Sequence, residues 1–259
     1  MFTNIYILVK RLVMNDIKVE NPILPIKQAI IIIGNYGSGK SEVSVNWAFW
    51  LKEWGVQKLH VVDLDIVNPY FRSREAIEEL TKVGIDVVAP QGERFFADLP
   101  IILPEIKGLF QDPQGTAIFD VGGDDVGARV LRSFEGYISN YELLQVVNTN
   151  RPFTNSFSGV IKMQKSIETS AALNVTGYIG NTHLMDETEV DTILNGIEFM
   201  KKLSDKTGIP TRFVTADVKF YDTVIKTNPP FPVMPLIRRL APTWKGGITK
   251  INNKPMLQV

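Results

Sequence analysis

Short apolar runs alternate along this chain with longer segments in which apolar positions recur every three or four residues. Continuous short runs are typical of strands buried on both faces, and the longer period is typical of helices packed on a sheet. The runs predict strands at 29–33, 59–62, 85–88, 116–119, 143–147, 175–179 and 212–214. The longer pattern predicts helices at 42–54, 70–83, 103–110, 126–137, 154–173 and 186–207. This alternation predicts an α/β fold with a three-layer, doubly wound and mainly parallel sheet.

The helix predicted at 186–207 has recognisable signals at both ends. Asp186 is expected to cap its first turn, and Gly208 is expected to end it.

The first predicted strand runs directly into a glycine-rich octet with the spacing G-x-x-x-x-G-K-S of a P-loop. Its residues are Gly34, Asn35, Tyr36, Gly37, Ser38, Gly39, Lys40 and Ser41. In such a loop, successive backbone N–H groups surround a phosphate chain, and the following helix, here beginning at Glu42, points its positive end at the phosphates. Lys40 is expected to reach the β- and γ-phosphate oxygens, and the Ser41 hydroxyl is expected to ligate Mg²⁺. The octet together with Glu42 therefore predicts a nucleotide-binding site.

Carboxylates stand at the ends of two further predicted strands. Asp63 and Asp65 follow the strand at 59–62, so that one can pair with Lys40 or join the Mg²⁺ shell while the other orients a water molecule. Asp120 follows the strand at 116–119 and precedes two glycines, which is the Walker B pattern for a metal-associated carboxylate. The candidate catalytic residues are Lys40, Asp63 and Asp65, and the candidate metal ligands are Ser41, Asp63 and Asp120.

Two more polar residues follow late strands. Asn181 offers a donor and an acceptor to the edge of a purine, although asparagine is also common in turns. Arg151 follows the strand at 143–147, and the sequence leaves open whether it lies near phosphate or forms a surface salt bridge.

Composition removes several classes of site and partner. Lys plus Arg and Asp plus Glu both total 28, so no global field favours nucleic acid. The chain has no cysteine and only 2 histidines, which excludes a cysteine-held iron–sulfur cluster and a thiolate zinc site and fits a reducing, cytoplasmic location. No stretch approaches the roughly 20 apolar residues of a membrane span.

Composition also divides the chain into three regions. We expect an N-terminal extension at 1–28, a P-loop domain at 29–222, and a tail at 223–259 that packs on the domain. The tail is rich in proline, has basic but no acidic residues, and has room for a short strand or helix.

Taken together, these motifs resemble the MinD/ParA/Mrp branch of P-loop NTPases, a SIMIBI-like group also known as the CobQ/CobB/MinD/ParA nucleotide-binding domain. The resemblance spans about 29–217. It implies that Asp65 positions the attacking water, that Asp120 is the Walker B aspartate, and that Asn181 reads adenine. Where MinD and ParA carry a signature lysine that reaches across a dimer, this chain has Asn35. A homodimer remains possible, but activation by that lysine is not expected.

The expected function is therefore that of a Mg²⁺-dependent ATPase whose switch loops couple hydrolysis to an unidentified protein partner or cargo. ATP is favoured over GTP because the segment from Asn181 to Leu184 lacks the Lys and Asp of the guanine-reading pattern [N/T]-K-x-D. Two alternatives stay open: an ATP-dependent phosphotransferase or ligase related to dethiobiotin synthetase, and a nucleotide-binding regulatory scaffold with little turnover.

Overall fold

The computed structural model describes residues 23–65, 77–89, 104–111, 114–123 and 125–240, with residues 125 and 126 as backbone only. Residues 1–22, residues 70–76 of one predicted helix, and the expected tail beyond residue 240 lie outside these ranges.

Eight strands form a single sheet in which every pairing is parallel. They are β1 (Ala29–Gly34), β2 (Leu59–Leu64), β3 (Asp86–Val88), β4 (Thr116–Val121), β5 (Tyr141–Val147), β6 (Gly177–Gly180), β7 (Thr211–Asp217) and β8 (Val233–Leu236). Their order in the sheet is β3-β2-β4-β1-β5-β6-β7-β8. The parallel α/β fold predicted from the apolar runs is confirmed, with β1 near the middle of the sheet.

Seven α-helices lie in the described ranges. They are α1 (Lys40–Glu53), α2 (Ile77–Lys82), α3 (104–111), α4 (Asp125–Arg132), α5 (Phe157–Ala171), α6 (Val190–Thr207) and α7 (Tyr221–Ile225). None of the helices in the part of the chain described here is long and apolar enough to span a membrane.

Among the described helices, two predicted bounds differ from the observed ones by four residues or more. The helix predicted at 126–137 ends at Arg132, because a series of turns follows and Gly136 has a positive φ of 86°. Helix α6 begins at Val190 and not at Asp186, because Glu189 and Thr192 form a capping box there. Its predicted end is confirmed, since Gly208 takes a left-handed φ of 74°.

The sheet is covered on both faces, which confirms the three-layer arrangement. Along β1, Ile31 and Ile33 point into the core shared with helices α3 to α7, whereas Ile30 and Ile32 point into the core shared with α1 and α2. This alternation follows from the two-residue period of a strand. Helix α1 is buried on nearly every side, including the fully buried Trp47.

The segment after residue 222 belongs to the same sheet as far as it is described. Helix α7 crosses the expected boundary between 222 and 223, and β8 pairs in parallel with β7. The strand is followed by residues 237–240, which we call the C-terminal strap. The strap lies against α1, where Asn46 exchanges two hydrogen bonds of 2.9 Å with the backbone of Ile237.

Candidate functional site

The carboxyl ends of the central strands surround a cavity of about 570 Å³. In an open parallel sheet this edge collects the loops that follow each strand, so residues far apart in sequence meet there. The cavity is lined by the P-loop, the end of β2, the loops after β5 and β6, the end of β7 and the C-terminal strap.

The P-loop has the curled backbone that its glycines predict. Gly37 and Gly39 take φ values of 73° and 82°, a left-handed conformation that residues with a Cβ rarely adopt. The amide of Ser38 donates to the carbonyl oxygen of Asn35 at 3.0 Å, which closes the turn. Helix α1 then begins at Lys40, so the first turn of the helix faces the cavity.

Lys40 is paired with Asp65 across the mouth of the P-loop. Its Nζ lies 3.5 Å from Asp65 Oδ2, and both side chains are largely buried, at 9% and 6% exposure. Asp63 Oδ1 accepts the backbone N–H of Asp65 at 3.0 Å, which orients the end of β2. Of the two carboxylates predicted there, Asp65 is therefore the one placed at Lys40, while Asp63 shapes the loop.

Asp120 lies beside these residues on the neighbouring strand. It is directly opposite Asp63 in the register of β2 and β4, and it is fully buried. Burial raises the pKa of Asp120 to about 7. The charge of Lys40 opposes this shift and the charge of Asp65 adds to it, and no hydrogen-bond donor among the described residues reaches either carboxylate oxygen of Asp120. A cation bound beside these buried carboxylates would favour their charged forms.

These residues fit a magnesium ion bound together with phosphate. In the described ranges, no group of three His, Cys, Asp or Glu side chains is placed to hold a metal by itself. Mg²⁺ commonly takes only one or two protein ligands and fills its shell with water and phosphate oxygens. Ser41, Asp63 and Asp120, which the sequence predicts as metal ligands, are residues of the hydroxyl and carboxylate types that such a site uses.

Asn181 is used to hold the P-loop in place. Its Nδ2 donates to the carbonyl oxygen of Ser38 at 2.7 Å, and its Oδ1 accepts from the hydroxyl of Thr215 at 2.6 Å. The amide thereby joins the P-loop to β7. One N–H and one lone pair of the amide remain for a ligand, so its predicted contact with a purine remains a prediction.

The first three residues of the P-loop, Gly34, Asn35 and Tyr36, differ in what surrounds them. Asn35 donates through Nδ2 to the carbonyl oxygen of Pro152 at 2.8 Å, whereas the Tyr36 ring is 77% exposed. Gly34 lies so close to β5 that an added Cβ would be 2.7 Å from the carbonyl oxygen of Val146. The loop is therefore tied to β5 and to the segment that follows it.

Glu42 is directed at the strap. Its carboxylate accepts the backbone N–H groups of Arg239 at 2.7 Å and Leu240 at 3.1 Å, as well as an N–H of Asn46. Burial raises the pKa of Glu42 to about 7, and these hydrogen bonds moderate the shift. The guanidinium of Arg239 pairs with Glu79 of α2 at 3.1 Å, so the strap connects the helix after the P-loop with α2.

His183 lies beside the P-loop on the side of β6. Burial of the ring, followed by the charges of Arg151 and Arg238, lowers the pKa of His183 from 6.5 to about 4. The ring is therefore neutral at pH 7 and Nδ1 accepts the backbone N–H of Met185 at 3.4 Å. Asp186, predicted to cap a helix, instead forms an ion pair of 2.6 Å with Arg238.

Sequence reasoning missed the far wall of the cavity. This wall contains Thr215, Asp217, Leu236, Arg238 and Leu240. Thr215 and Asp217 could have been found from the sequence, because they are polar residues that follow the strand predicted at 212–214, and the observed strand continues to Asp217. No local signal marks Leu236, Arg238 and Leu240. Contacts between distant segments bring the strap to the cavity, such as that of Arg239 with Glu42 across 197 positions of sequence.

Comparison with known proteins gives only distant structural neighbours. No family model and no curated protein matches this chain. FtsY from the chloroplast of Physcomitrella patens is 19% identical, with a TM-score of 0.49, over 74% of this chain and 59% of that chain. FtsY from Thermotoga maritima is 16% identical, with a TM-score of 0.48, over 78% and 66%.

A nucleotide-binding protein from Archaeoglobus fulgidus, solved in complex with ADP, is 16% identical, with a TM-score of 0.45, over 76% of this chain and 85% of that chain. The match with the two FtsY chains spans less than two thirds of their length. At these levels of similarity, an account of function has to come from the residues of the site.

Proposed function

We propose that this protein binds Mg²⁺·ATP in the cavity at the P-loop and hydrolyses it, with the segments after Asp65 and Asp120 coupling hydrolysis to a protein partner or cargo. The observation that carries the proposal is the Lys40–Asp65 pair at the mouth of a curled P-loop, open to a cavity of about 570 Å³. Single ligand pockets commonly have volumes of this order.

The pair is suited to being separated by a ligand. At 3.5 Å it is longer than the roughly 2.7–2.9 Å of a strong charged hydrogen bond, so charge holds it more than geometry. A triphosphate draws Lys40 toward its β- and γ-oxygens, and Asp65 is then placed to accept a hydrogen bond from the attacking water. Lys40 neutralises charge in the ground state and in the transition state.

The remaining residues hold and orient the phosphates. The P-loop N–H groups surround them, and Asn181 keeps the loop in its curled form through Ser38. When bound by Ser41 and its neighbouring carboxylates, Mg²⁺ supplies charge neutralisation at the phosphate oxygens.

ATP is proposed as the nucleotide because the segment after β6 lacks the Lys and Asp of guanine readers. Asp217 lines the same cavity from the end of β7 and offers a carboxylate to it. Its presence makes a direct comparison of ATP with GTP the first measurement. Tighter binding of GTP in a calorimetric titration would contradict the adenine assignment of Asn181.

Product analysis separates hydrolysis from the alternatives. A hydrolase forms ADP and phosphate without an acceptor, which a phosphotransferase or ligase does not. A regulatory scaffold binds ATP with negligible turnover, whether or not candidate partners are supplied.

Asp65→Asn tests the proposed reaction directly. We expect turnover to fall about 100-fold or more, because the amide oxygen of Asn is a weaker hydrogen-bond acceptor for the attacking water than a carboxylate. ATP affinity should change by less than about threefold. Phosphate release and calorimetric titration measure the two effects. Glu198→Gln, an exposed change on α6, is the matched control and should leave both unchanged. Full turnover in Asp65→Asn would remove Asp65 from this role.

A further inference from the structure

Arg151 lies against the P-loop and lines the cavity. Its Nε donates to the carbonyl oxygen of Gly37 at 3.0 Å, and this is the only side-chain hydrogen bond that the described residues give it. No carboxylate in the described ranges forms an ion pair with it. A surface salt bridge, one of the two roles that the sequence left open, is therefore not what the described residues supply.

The loop that carries Arg151 is firmly built. The buried Asn148 accepts the backbone N–H of Asn150 at 3.0 Å through its side chain, and its carbonyl oxygen accepts the hydroxyl of the fully buried Thr154 at 2.7 Å. The backbone N–H of Arg151 also donates to Asn148 at 3.1 Å. These bonds fix the point from which the arginine side chain leaves the loop.

The P-loop holds the same loop from the other side. Asn35 donates to Pro152 at 2.8 Å, and its Oδ1 accepts the backbone N–H of Tyr36. Phe153 follows with a φ of 71°, an uncommon conformation for an aromatic residue that directs its ring to solvent at 71% exposure. Two contacts therefore hold Arg151 against the P-loop. Its own side chain donates to Gly37, and the next residue, Pro152, accepts a hydrogen bond from Asn35.

We propose that Arg151 is a nucleotide-binding residue that adds a second positive charge to the P-loop, beside that of Lys40. With Nε bound to Gly37, the guanidinium keeps four N–H groups on its two Nη atoms for an anionic ligand. A phosphate chain is the ligand class that such a planar, permanently charged group binds well. The positive charge of Arg151 also helps to lower the pKa of His183, another residue that lines the cavity.

This inference rests on the proposed function, and the experiment separates the two. Wild-type protein is first titrated with Mg²⁺·ATP and with ADP. If wild type binds neither, the proposed function fails. If wild type binds ATP, the variants Arg151→Gln and Arg151→Lys are titrated under the same conditions, with the exposed Arg132→Gln on α4 as the matched control.

We expect Arg151→Gln to weaken ATP binding about tenfold, and to weaken ADP binding less, because the triphosphate carries more negative charge. Arg151→Lys keeps the charge and should stay within about threefold of wild type, and Arg132→Gln should equal wild type. Equal ATP affinity in wild type and Arg151→Gln would overturn the inference. Equal losses in the Gln and Lys variants would also overturn it, because they would make Arg151 only a brace for Gly37.

A second neutral variant keeps the test decisive if Arg151→Gln does not fold. Arg151→Met retains the apolar stem, and we expect the same tenfold loss of ATP affinity. Thermal unfolding of each variant identifies those that are folded, and wild-type ATP affinity in a folded Arg151→Met would overturn the inference.

Discussion

Two buried ion pairs lie at opposite ends of the strands, and they differ in length and in whether they border the cavity. At the amino ends of the strands, Arg212 pairs with Glu142 at 2.8 Å. Glu142 also accepts the backbone N–H groups of Ile26 and Lys27, and Arg212 donates to the carbonyl oxygen of Leu24. Each oxygen of the carboxylate is bonded by groups of the chain itself.

At the carboxyl ends, Lys40 and Asp65 are just as buried but 3.5 Å apart, and both border the cavity. The first pair joins the chain before β1 to β5 and β7, and neither of its residues lines the cavity. The second pair holds opposite charges next to an opening. The comparison shows that two ion pairs of similar burial differ in whether they border the cavity.

The largest expected effect comes from removing the cation of the Lys40–Asp65 pair, which borders the cavity. Lys40→Ala should weaken ATP binding about 1,000-fold, equivalent to roughly 4 kcal/mol, because the ammonium that pairs with the β- and γ-oxygens is lost. The free energy of unfolding should change by only about 1 kcal/mol, since the cavity lets water reach the carboxylate that remains. Calorimetric titration and urea unfolding measure the two; unchanged ATP affinity would contradict the site assignment.

Breaking the Arg212–Glu142 pair should give the opposite pattern, a loss of stability with little change in ATP affinity. Arg212→Ala leaves the Glu142 charge buried, so the free energy of unfolding should fall by about 3 kcal/mol. The affinity of the folded protein for ATP should stay within about twofold, because the pair lies at the far edge of the sheet. Urea unfolding gives the stability, and titration below the unfolding transition gives the affinity. A large loss of affinity with little loss of stability would remove the distinction between the pairs.

The smallest effect concerns a titratable group at the cavity. Because the pKa of His183 is about 4 in the folded protein and about 6.5 in the unfolded chain, its contribution to stability is present above pH 6.5 and is lost as the pH falls toward 4. We expect wild type to lose roughly 2–3 kcal/mol over that interval relative to His183→Gln, whose side chain does not titrate. Thermal unfolding at pH 4.5, 5.5 and 7 measures the difference, and parallel curves would contradict the shifted pKa.

Sequence reasoning was strongest where local pattern and local structure coincide. The apolar runs identified seven of the eight strands, because a strand buried on both faces needs a continuous apolar run. It was weaker at helix ends: Asp186 matched a capping signal but formed an ion pair with Arg238 from the strap. A distant partner decided that residue, and local propensity did not.

The sequence by itself determined the parallel α/β fold, the curled P-loop and the carboxylates at the ends of β2 and β4, because each depends on residues within one short segment. Only the tertiary structure decided that Asp65 and not Asp63 meets Lys40, that Asn181 holds Ser38, and that the loop after β5 and the strap form two walls of the cavity. Those choices depend on contacts between different segments, from Lys40 with Asp65, 25 positions apart, to Asn181 with Ser38 across 143 positions. The arrangement of the strands in the sheet sets these contacts, and no periodicity within a segment records them.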